Sequence, residues 1–288
     1  MTMMEMAYGP EALHKFDLHA APSRAHTAPL IVFVHGGAWR SEDKSQHADL
    51  ARTLVRLTGF PVAVPNYRLT TPQTPIQHPT HASDVLRFLH FLTTWSGPTA
   101  SKPPSQLYLL GHSCAAHMLA SILLASPFPE LIPSQDVLQA VRAVIISEGI
   151  YDVDILLRSF PGYREWFIAN TFGDLSAYPD VNAASYPSRP GGEHIRWFVL
   201  HSSGDVLVDQ LQSEIMVAHL SSIAAIGASL DASESLPSVS KNFDELHEGH
   251  NELLRGETYP RLVADFIADV ATPTEWLTYK IVDAVADP

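Results

Sequence analysis

QLYLLGHSCAAHM, residues 106–118, is the segment that most clearly indicates the fold. Its apolar run Leu107 to Leu110 is typical of a strand in a covered parallel sheet, and the sequence from Ala115 to Ala125 favours a helix because it is rich in helix formers and contains no proline. Between them, Gly111 and Ser113 predict a tight strand-to-helix turn. A serine on such a turn projects its hydroxyl from the sheet, beside free N–H groups of the helix. Ser113 is therefore a candidate nucleophile, with a simple helix-capping serine as the alternative.

A second motif, IVFVHGGAW at residues 31–39, joins an apolar strand to a His-Gly-Gly turn. Acyl transfer places negative charge on a carbonyl oxygen, and backbone N–H groups stabilise that charge only where side chains leave room for it. We therefore predict an oxyanion hole at Gly36, Gly37 and Ala38, which the backbone N–H of Cys114 completes. A strand that simply ends in a glycine turn is the alternative. The order of the two motifs along the chain favours the catalytic interpretation.

A nucleophilic serine needs a base, and the base needs an orienting acid; with this kind of turn the chain order is serine, acid, histidine. The apolar strand Ile195 to Leu200 is followed by a loop that contains Asp205, where the acid is expected. Glu148, after the strand Val141 to Ile146, is the alternative acid. Asp209 is instead predicted to open or cap the next helix.

Two histidines follow the last predicted strand, which lies near Val239 to Phe243. His250 follows a glycine on a loop and can approach the serine, so we predict that it is the base. His247 lies nearer the strand and is the alternative, with a packing or supporting role. Their spacing does not match the zinc signature His-Glu-x-x-His, so we expect neither a metal ion nor another cofactor.

Together these residues resemble the α/β-hydrolase superfamily and, within it, the kynurenine formamidases that carry an H-G-G-x-W loop. Six segments carry the likeness: HGGAW at 35–39, NYRL at 66–69, GHS at 111–113, EGIYD at 148–152, HSSGD at 201–205 and GHN at 249–251. The first and third are shared with many carboxylesterases, whereas the fourth and a short cap point more narrowly to the formamidases. Ala115 departs from the usual Gly-x-Ser-x-Gly pattern, in which a second glycine stands at that position.

The resemblance implies hydrolysis of N-formyl-L-kynurenine to L-kynurenine and formate, a step of tryptophan degradation. The reaction would pass through a formyl-serine intermediate, with Ser113, Asp205 and His250 as the catalytic triad. The expected partner is thus a small aromatic formamide. Three aromatic residues are candidate contacts for its ring: Trp39, Tyr151 and Trp166. Two alternatives stay open, a carboxylesterase that acts on small or secondary-metabolite esters and a catalytically silent binding protein of the same fold.

Length and composition indicate the fold class and limit the possible partners. The 288 residues are 46% hydrophobic, enough for one α/β domain with a mostly parallel central sheet and helices on both faces. Residues 151–192, with several prolines and aromatics, predict a small cap insert. A net charge of −13 argues against nucleic acids and acidic membrane surfaces as partners. We expect neither a membrane span nor a secretory signal, and a single cysteine, which permits no internal disulfide, fits a cytoplasmic protein.

The two ends of the chain add further expectations. Residues 1–29 are predicted to be a leader segment with an edge strand. Two helices, Leu262 to Ala271 and Thr274 to Ala286, are predicted either to pack on the sheet or to form a homodimer contact. Histidines in polar or proline-rich surroundings are expected at the surface: His14, His19, His26, His78, His81 and His90.

Overall fold

The architecture is known from a computed structural model that describes residues 2–20, 29–97, 102–228 and 238–271. Within these ranges, eight strands form one sheet: β1 (Thr2–Ala7), β2 (Lys15–Ala20), β3 (Leu30–Val34), β4 (Val62–Pro65), β5 (Leu107–His112), β6 (Val141–Ser147), β7 (Arg196–Leu200) and β8 (Val239–Asn242). Their order across the sheet is β1-β2-β4-β3-β5-β6-β7-β8. The pairs β1/β2 and β2/β4 are antiparallel, and all further pairs are parallel.

Helices cover both faces of this sheet. The α-helices of the described ranges are α1 (Ala48–Thr58), α2 (Thr80–Thr94), α3 (Cys114–Leu123), α4 (Gln135–Ala140), α5 (Val153–Ser159), α6 (Ala169–Phe172), α7 (Gln210–Ala228) and α8 (Thr258–Val270). Strand β3 shows the two layers: Ile31 and Phe33 belong to the apolar cluster that contains α1 and α8, whereas Val32 belongs to the cluster that contains α2 and α3. A strand buried on both faces is apolar throughout, which is why its sequence does not alternate. In the described part of the chain, no helix has the length and apolarity needed to cross a membrane.

The predicted strands at residues 31–34, 107–110, 141–146, 195–200 and 239–243 correspond to β3, β5, β6, β7 and β8. Helix α8 confirms the first of the two predicted C-terminal helices, and the second lies outside the described residues. The edge strand predicted near the N-terminus corresponds to β1, but the sequence did not indicate β2, which forms a hairpin with it. Most of β1 is exposed or half-buried, so its sequence carries little of the apolar signal that marks a strand.

The expectation that the outlying histidines lie at the surface is wrong for three buried ones: His14, His19 and His81. His14 Nε2 lies 3.0 Å from Asp84 Oδ1, and His81 Nε2 lies 2.8 Å from Thr70 Oγ1. These partners come from other segments, so the polar sequence around each histidine did not reveal its burial. His78 and His90 are half-buried, and His26 is outside the described residues.

Residues 151–192, the predicted cap insert, connect β6 to β7 through α5, a π-helical turn at Arg164–Ile168, α6 and two short 3-10 turns. The insert packs on the segment after β3. The ring centroid of Trp39 lies 5.0 Å from that of Phe172, and the Arg40 guanidinium donates a hydrogen bond to the carbonyl oxygen of Trp166 at 2.7 Å. The loop after β3 is therefore held from above by the insert.

Candidate active site

Ser113 lies on the sharp turn between β5 and α3. Its backbone has φ +57° and ψ −124°, a conformation that non-glycine residues rarely adopt, and its N–H donates to the carbonyl of Ser147 at 2.9 Å. A Cβ on Gly111 would lie 2.9 Å from Leu119 Cδ1 and 3.0 Å from the backbone of Ala115, so a larger residue there would force its neighbours to shift. The methyl group of Ala115 is itself fully buried in the core. The turn therefore forms with alanine at the position where the usual pattern has glycine.

The predicted oxyanion loop approaches this serine closely. A Cβ on Gly36 would lie 3.1 Å from Ser113 Cβ, which is tighter than an ordinary contact, so glycine lets the two segments come this near without a shift. Positive φ angles follow at Gly37 (+93°), Ala38 (+51°) and Trp39 (+59°). Such a run of left-handed residues is strained and is typical of a functional loop. The structure thus brings the two motifs of the sequence side by side.

Two side chains hold this loop in place. The Tyr67 hydroxyl donates to the Gly36 carbonyl at 2.8 Å, and the N–H of Trp39 donates to Cys114 Sγ at 3.3 Å. Burial raises the pKa of the Cys114 thiol to about 12, so the thiol stays protonated and serves as an anchor and not as a nucleophile. Sequence reasoning gave Tyr67 no role. Its only sequence signal was its place in the segment NYRL.

Asp205 and His250 form the closest acid-base pair at this edge of the sheet. Asp205 Oδ2 lies 2.7 Å from His250 Nδ1, while Asp205 Oδ1 accepts from the N–H groups of Leu207 at 2.8 Å and Val208 at 3.1 Å. Burial raises the pKa of this carboxyl, but the hydrogen bonds that it accepts lower the pKa more, so the pKa of Asp205 lies below its usual range. The hydrogen bond from His250 is the largest of these lowering contributions. With Nδ1 donating to Asp205, Nε2 is the imidazole atom that is left to accept a proton.

The alternative residues occupy different positions. His247 is exposed and its Nδ1 lies 2.8 Å from Ser203 Oγ, so it is not the histidine on Asp205. Asp209 directly precedes α7. Glu148 is fully buried, and its carboxyl lies with Asp205 and His250 in a group whose nearest polar atoms are all within 4.8 Å of one another. The alternative acid of the sequence analysis is therefore a direct neighbour of the pair.

Of the three aromatic residues predicted to contact a ligand, Trp39 and Tyr151 have no exposed surface. The left-handed backbone at Trp39 turns its ring into the core under the insert, where it packs against Phe172. Because both side chains are fully buried, neither ring is open to a ligand in this structure. Trp166 is 48% exposed. Two apolar residues that follow Asp205 were not predicted and are also exposed: Val206 and Leu207. The Tyr163 hydroxyl donates to the Leu207 carbonyl at 2.9 Å and so joins the insert to this loop.

In the described residues, two groups of side chains bring three possible metal ligands within 4.8 Å of one another. One is the set Glu148, Asp205 and His250. The other comprises His35, Glu42 and His47, in which Glu42 Oε2 lies 3.0 Å from His47 Nε2. In both groups a carboxylate already pairs with an imidazole: Asp205 with His250 in the first, and Glu42 with His47 in the second.

Sequence comparisons give a family and several relatives for this chain. The model of the BD-FAE family matches residues 16–220. The chain is 35% identical over 153 residues to the kynurenine formamidase of Drosophila melanogaster, a match that covers 53% of this chain and 47% of that protein. It is 26% identical over 242 residues to the kynurenine formamidase of Scheffersomyces stipitis, covering 74% and 85%. A probable isoprenylcysteine alpha-carbonyl methylesterase of Oryza sativa subsp. japonica is 29% identical over 181 residues, covering 60% and 42%.

Solved structures confirm the α/β-hydrolase fold. An inhibited esterase B from Lactobacillus rhamnosis has a TM-score of 0.69 at 15% identity, and the match covers 99% of this chain and 89% of that one. A bifunctional GH43-CE protein from Bacteroides eggerthii also has a TM-score of 0.69, at 17% identity, covering 93% and 38%. At this identity the likeness shows the fold alone. The match to the Drosophila relative spans about half of that protein's length.

Proposed function

The chain belongs to the BD-FAE family of α/β-hydrolases, and on that premise we propose that it is a serine hydrolase that cleaves N-formyl-L-kynurenine to L-kynurenine and formate. The observation that carries the proposal is the 2.7 Å pair of Asp205 and His250, at the sheet edge where the Ser113 turn meets the Gly36 loop. The relatives named kynurenine formamidase support the choice of substrate.

The proposed reaction begins with attack on the formyl carbon. Ser113 Oγ forms a bond to that carbon while its proton moves to His250 Nε2, and the carbonyl oxygen becomes an oxyanion. The backbone N–H groups of Gly37, Ala38 and Cys114 are the proposed donors to this oxygen. The N–H of Trp39 donates to Cys114 Sγ at 3.3 Å and is left out of the set. The N–H of Ala38 also interacts with that thiol, so Gly37 and Cys114 are the two proposed donors without this contact. Each such donor contributes on the order of 2.7–4 kcal/mol to transition-state stabilisation.

Collapse of this intermediate breaks the bond between carbon and nitrogen. His250 returns its proton to the leaving aryl amine, which leaves more readily than an alkyl amine because its lone pair is delocalised into the ring. Water then attacks the formyl-serine, again with His250 as base. Formate and free Ser113 are the products of this second half-reaction. Asp205 keeps its negative charge throughout and stabilises the imidazolium form of His250.

The rim of the site offers surface suited to an aromatic amino acid. Trp166, Val206 and Leu207 are exposed apolar residues on the insert and on the acid loop, which the hydroxyl of Tyr163 joins. Charges lie beside the oxyanion loop. Arg40 is exposed, and the half-buried Glu42 carboxylate is close enough to His250 to interact with it electrostatically. We propose that this rim receives the aromatic ring and the zwitterionic end of the substrate.

A carboxylesterase is the second candidate. The likeness to the rice protein named a probable methylesterase favours it, because ester and formamide hydrolysis need the same nucleophile, base and oxyanion donors. The two activities differ only in the acyl and leaving groups that the rim accepts.

Steady-state kinetics separate the candidates. The kcat/KM for N-formyl-L-kynurenine and for a short-chain aryl ester is measured with the wild type and with Ser113→Ala; Ser222→Ala, an exposed serine on α7, is the matched control. We expect the formamide to be preferred and Ser113→Ala to lose at least about a thousandfold, with the control unchanged. Ester turnover alone supports the carboxylesterase. Turnover of neither substrate by folded protein contradicts both candidates and favours a silent binding protein.

A further inference from the structure

Glu148 is a buried acid that the proposed reaction does not use. It follows β6 directly, with φ +51°, and its side chain is 0% exposed. Carboxylate oxygen Oε1 accepts a hydrogen bond from the N–H of Ser202 at 2.7 Å. The other oxygen, Oε2, is buried and, among the described residues, has no hydrogen-bond partner that meets ordinary geometry. A buried acceptor without a donor is costly, so this oxygen needs an explanation.

His201 does not provide that partner. Its Nδ1 lies 3.3 Å from Glu148 Oε2 but is also 2.9 Å from Ser213 Oγ, with which it forms its hydrogen bond. Burial also lowers the pKa of His201, so the ring is neutral and offers no charge to balance a carboxylate. Two buried tyrosines also interact with Glu148, Tyr151 and Tyr259, and neither is a cation. In the described part of the chain, no lysine or arginine forms an ion pair with Glu148.

The remaining neighbours are Asp205 and His250, whose polar atoms lie within 4.8 Å of those of Glu148. Two carboxyl groups this close in a buried site do not both ionise at neutral pH. Asp205 accepts hydrogen bonds from His250 and from two backbone N–H groups, whereas Glu148 accepts one. The carboxyl with more donors keeps the negative charge, and the proton stays on the other. Consistent with this, burial and then the neighbouring Asp205 raise the pKa of Glu148 to about 11.

We infer that Glu148 is a positioning residue: it is a neutral carboxylic acid at pH 7, and its Oε2–H donates a hydrogen bond to the carboxylate of Asp205. The proton turns the unpartnered oxygen into a donor. That bond fixes the orientation in which Asp205 Oδ2 faces His250 Nδ1. The expected effect on turnover rests on the proposed function, whereas the protonation state of Glu148 is a property of the folded protein and does not depend on it.

Glutamine tests the role directly, because its side chain reproduces the neutral acid. The amide oxygen of Glu148→Gln accepts from Ser202, and the amide N–H donates to Asp205. We expect kcat/KM within about threefold of wild type with an unchanged pH profile. Glu148→Leu removes the donor, and we expect kcat to fall about 10–100-fold at similar KM, as is typical when a group that supports a site residue is lost. Its pH profile should differ from that of the wild type, because Asp205 loses a donor that Glu148→Gln keeps.

A reversed result overturns the inference. If Glu148→Gln loses as much activity as Glu148→Leu, Glu148 acts as an anion, and if Glu148→Leu keeps both rate and pH profile, Glu148 positions nothing. A second measurement needs no turnover: infrared difference spectra at pH 7 between wild type and Glu148→Gln, with the exposed Glu130→Gln as control. We expect a protonated-carboxyl C=O band that only Glu148→Gln removes. Its absence from the wild type overturns the inference even if the enzyme is active, and its presence supports it even if the proposed substrate fails.

Discussion

Replacing Glu148 with glutamine should change how the stability of the protein depends on pH. Burial and Asp205 raise the pKa of Glu148 from 4.5 to about 11 in the folded state. Unfolding exposes the group and restores its ordinary value. Between these two values the unfolded chain releases a proton that the folded chain keeps, so the free energy of unfolding decreases as pH rises. The contribution of Glu148 to stability is complete below the unfolded pKa and is lost progressively up to the folded pKa.

The size of the effect follows from linkage. One proton released on unfolding changes the free energy of unfolding by about 1.4 kcal/mol per pH unit. From pH 5.5 to 8.5 the wild type should therefore lose up to about 4 kcal/mol through this group. Glutamine does not titrate, so the free energy of unfolding of Glu148→Gln does not include this decrease with pH. Other titrating groups are common to both proteins and cancel in the difference.

Chemical denaturation measures this difference. Urea unfolding of wild type, Glu148→Gln and the control Glu130→Gln at pH 5.5, 6.5, 7.5 and 8.5 gives the free energy of unfolding for each. The stability of Glu148→Gln relative to the wild type should rise steadily with pH, while the control runs parallel to the wild type. Parallel curves for Glu148→Gln and wild type would contradict this prediction, because they would mean that Glu148 is ionised in the folded protein.

Four further predictions concern the remaining parts of the site. Gly36→Ala should lower kcat about 100-fold with the melting temperature little changed, because the new Cβ would stand 3.1 Å from Ser113 Cβ and displace an oxyanion donor. Tyr67→Phe removes the bond to the Gly36 carbonyl and should cost about 1 kcal/mol of stability in thermal unfolding. Cys114→Ser should keep turnover within about tenfold, and iodoacetamide should not label the native thiol, since its pKa is raised to about 12. Activity should fall toward acid pH because a general base must be unprotonated to accept the serine proton, so a profile that is flat from about pH 5 to 8 would exclude a histidine base.

Much of the scaffold was predictable because its signals are local. Apolar runs identified β3, β5, β6 and β7, and fixed spacings placed Gly36 and Ser113 on turns that the structure brings together. Features that depend on distant segments were not predictable. The burial of His14 depends on Asp84, and the anchoring of the predicted oxyanion loop depends on Tyr67. Trp39 was expected to contact a ligand, but its ring points into the core. The sequence did not show this, because the direction of the ring depends on three consecutive residues with positive φ angles.

The choice between Asp205 and Glu148 as the acid shows what kind of information the sequence lacked. Strands β5, β6 and β7 are adjacent in the sheet, so the turns after them bring Ser113, Glu148 and Asp205 to one edge, and chain order permits either acid. The decisive difference lies in the donors around each carboxyl. The loop after β7 folds back so that its own N–H groups point at Asp205, whereas the turn after β6 leaves Glu148 to a single N–H of that same loop. One loop therefore sets the protonation of both acids: it stabilises the charge on Asp205 and leaves Glu148 to hold the proton.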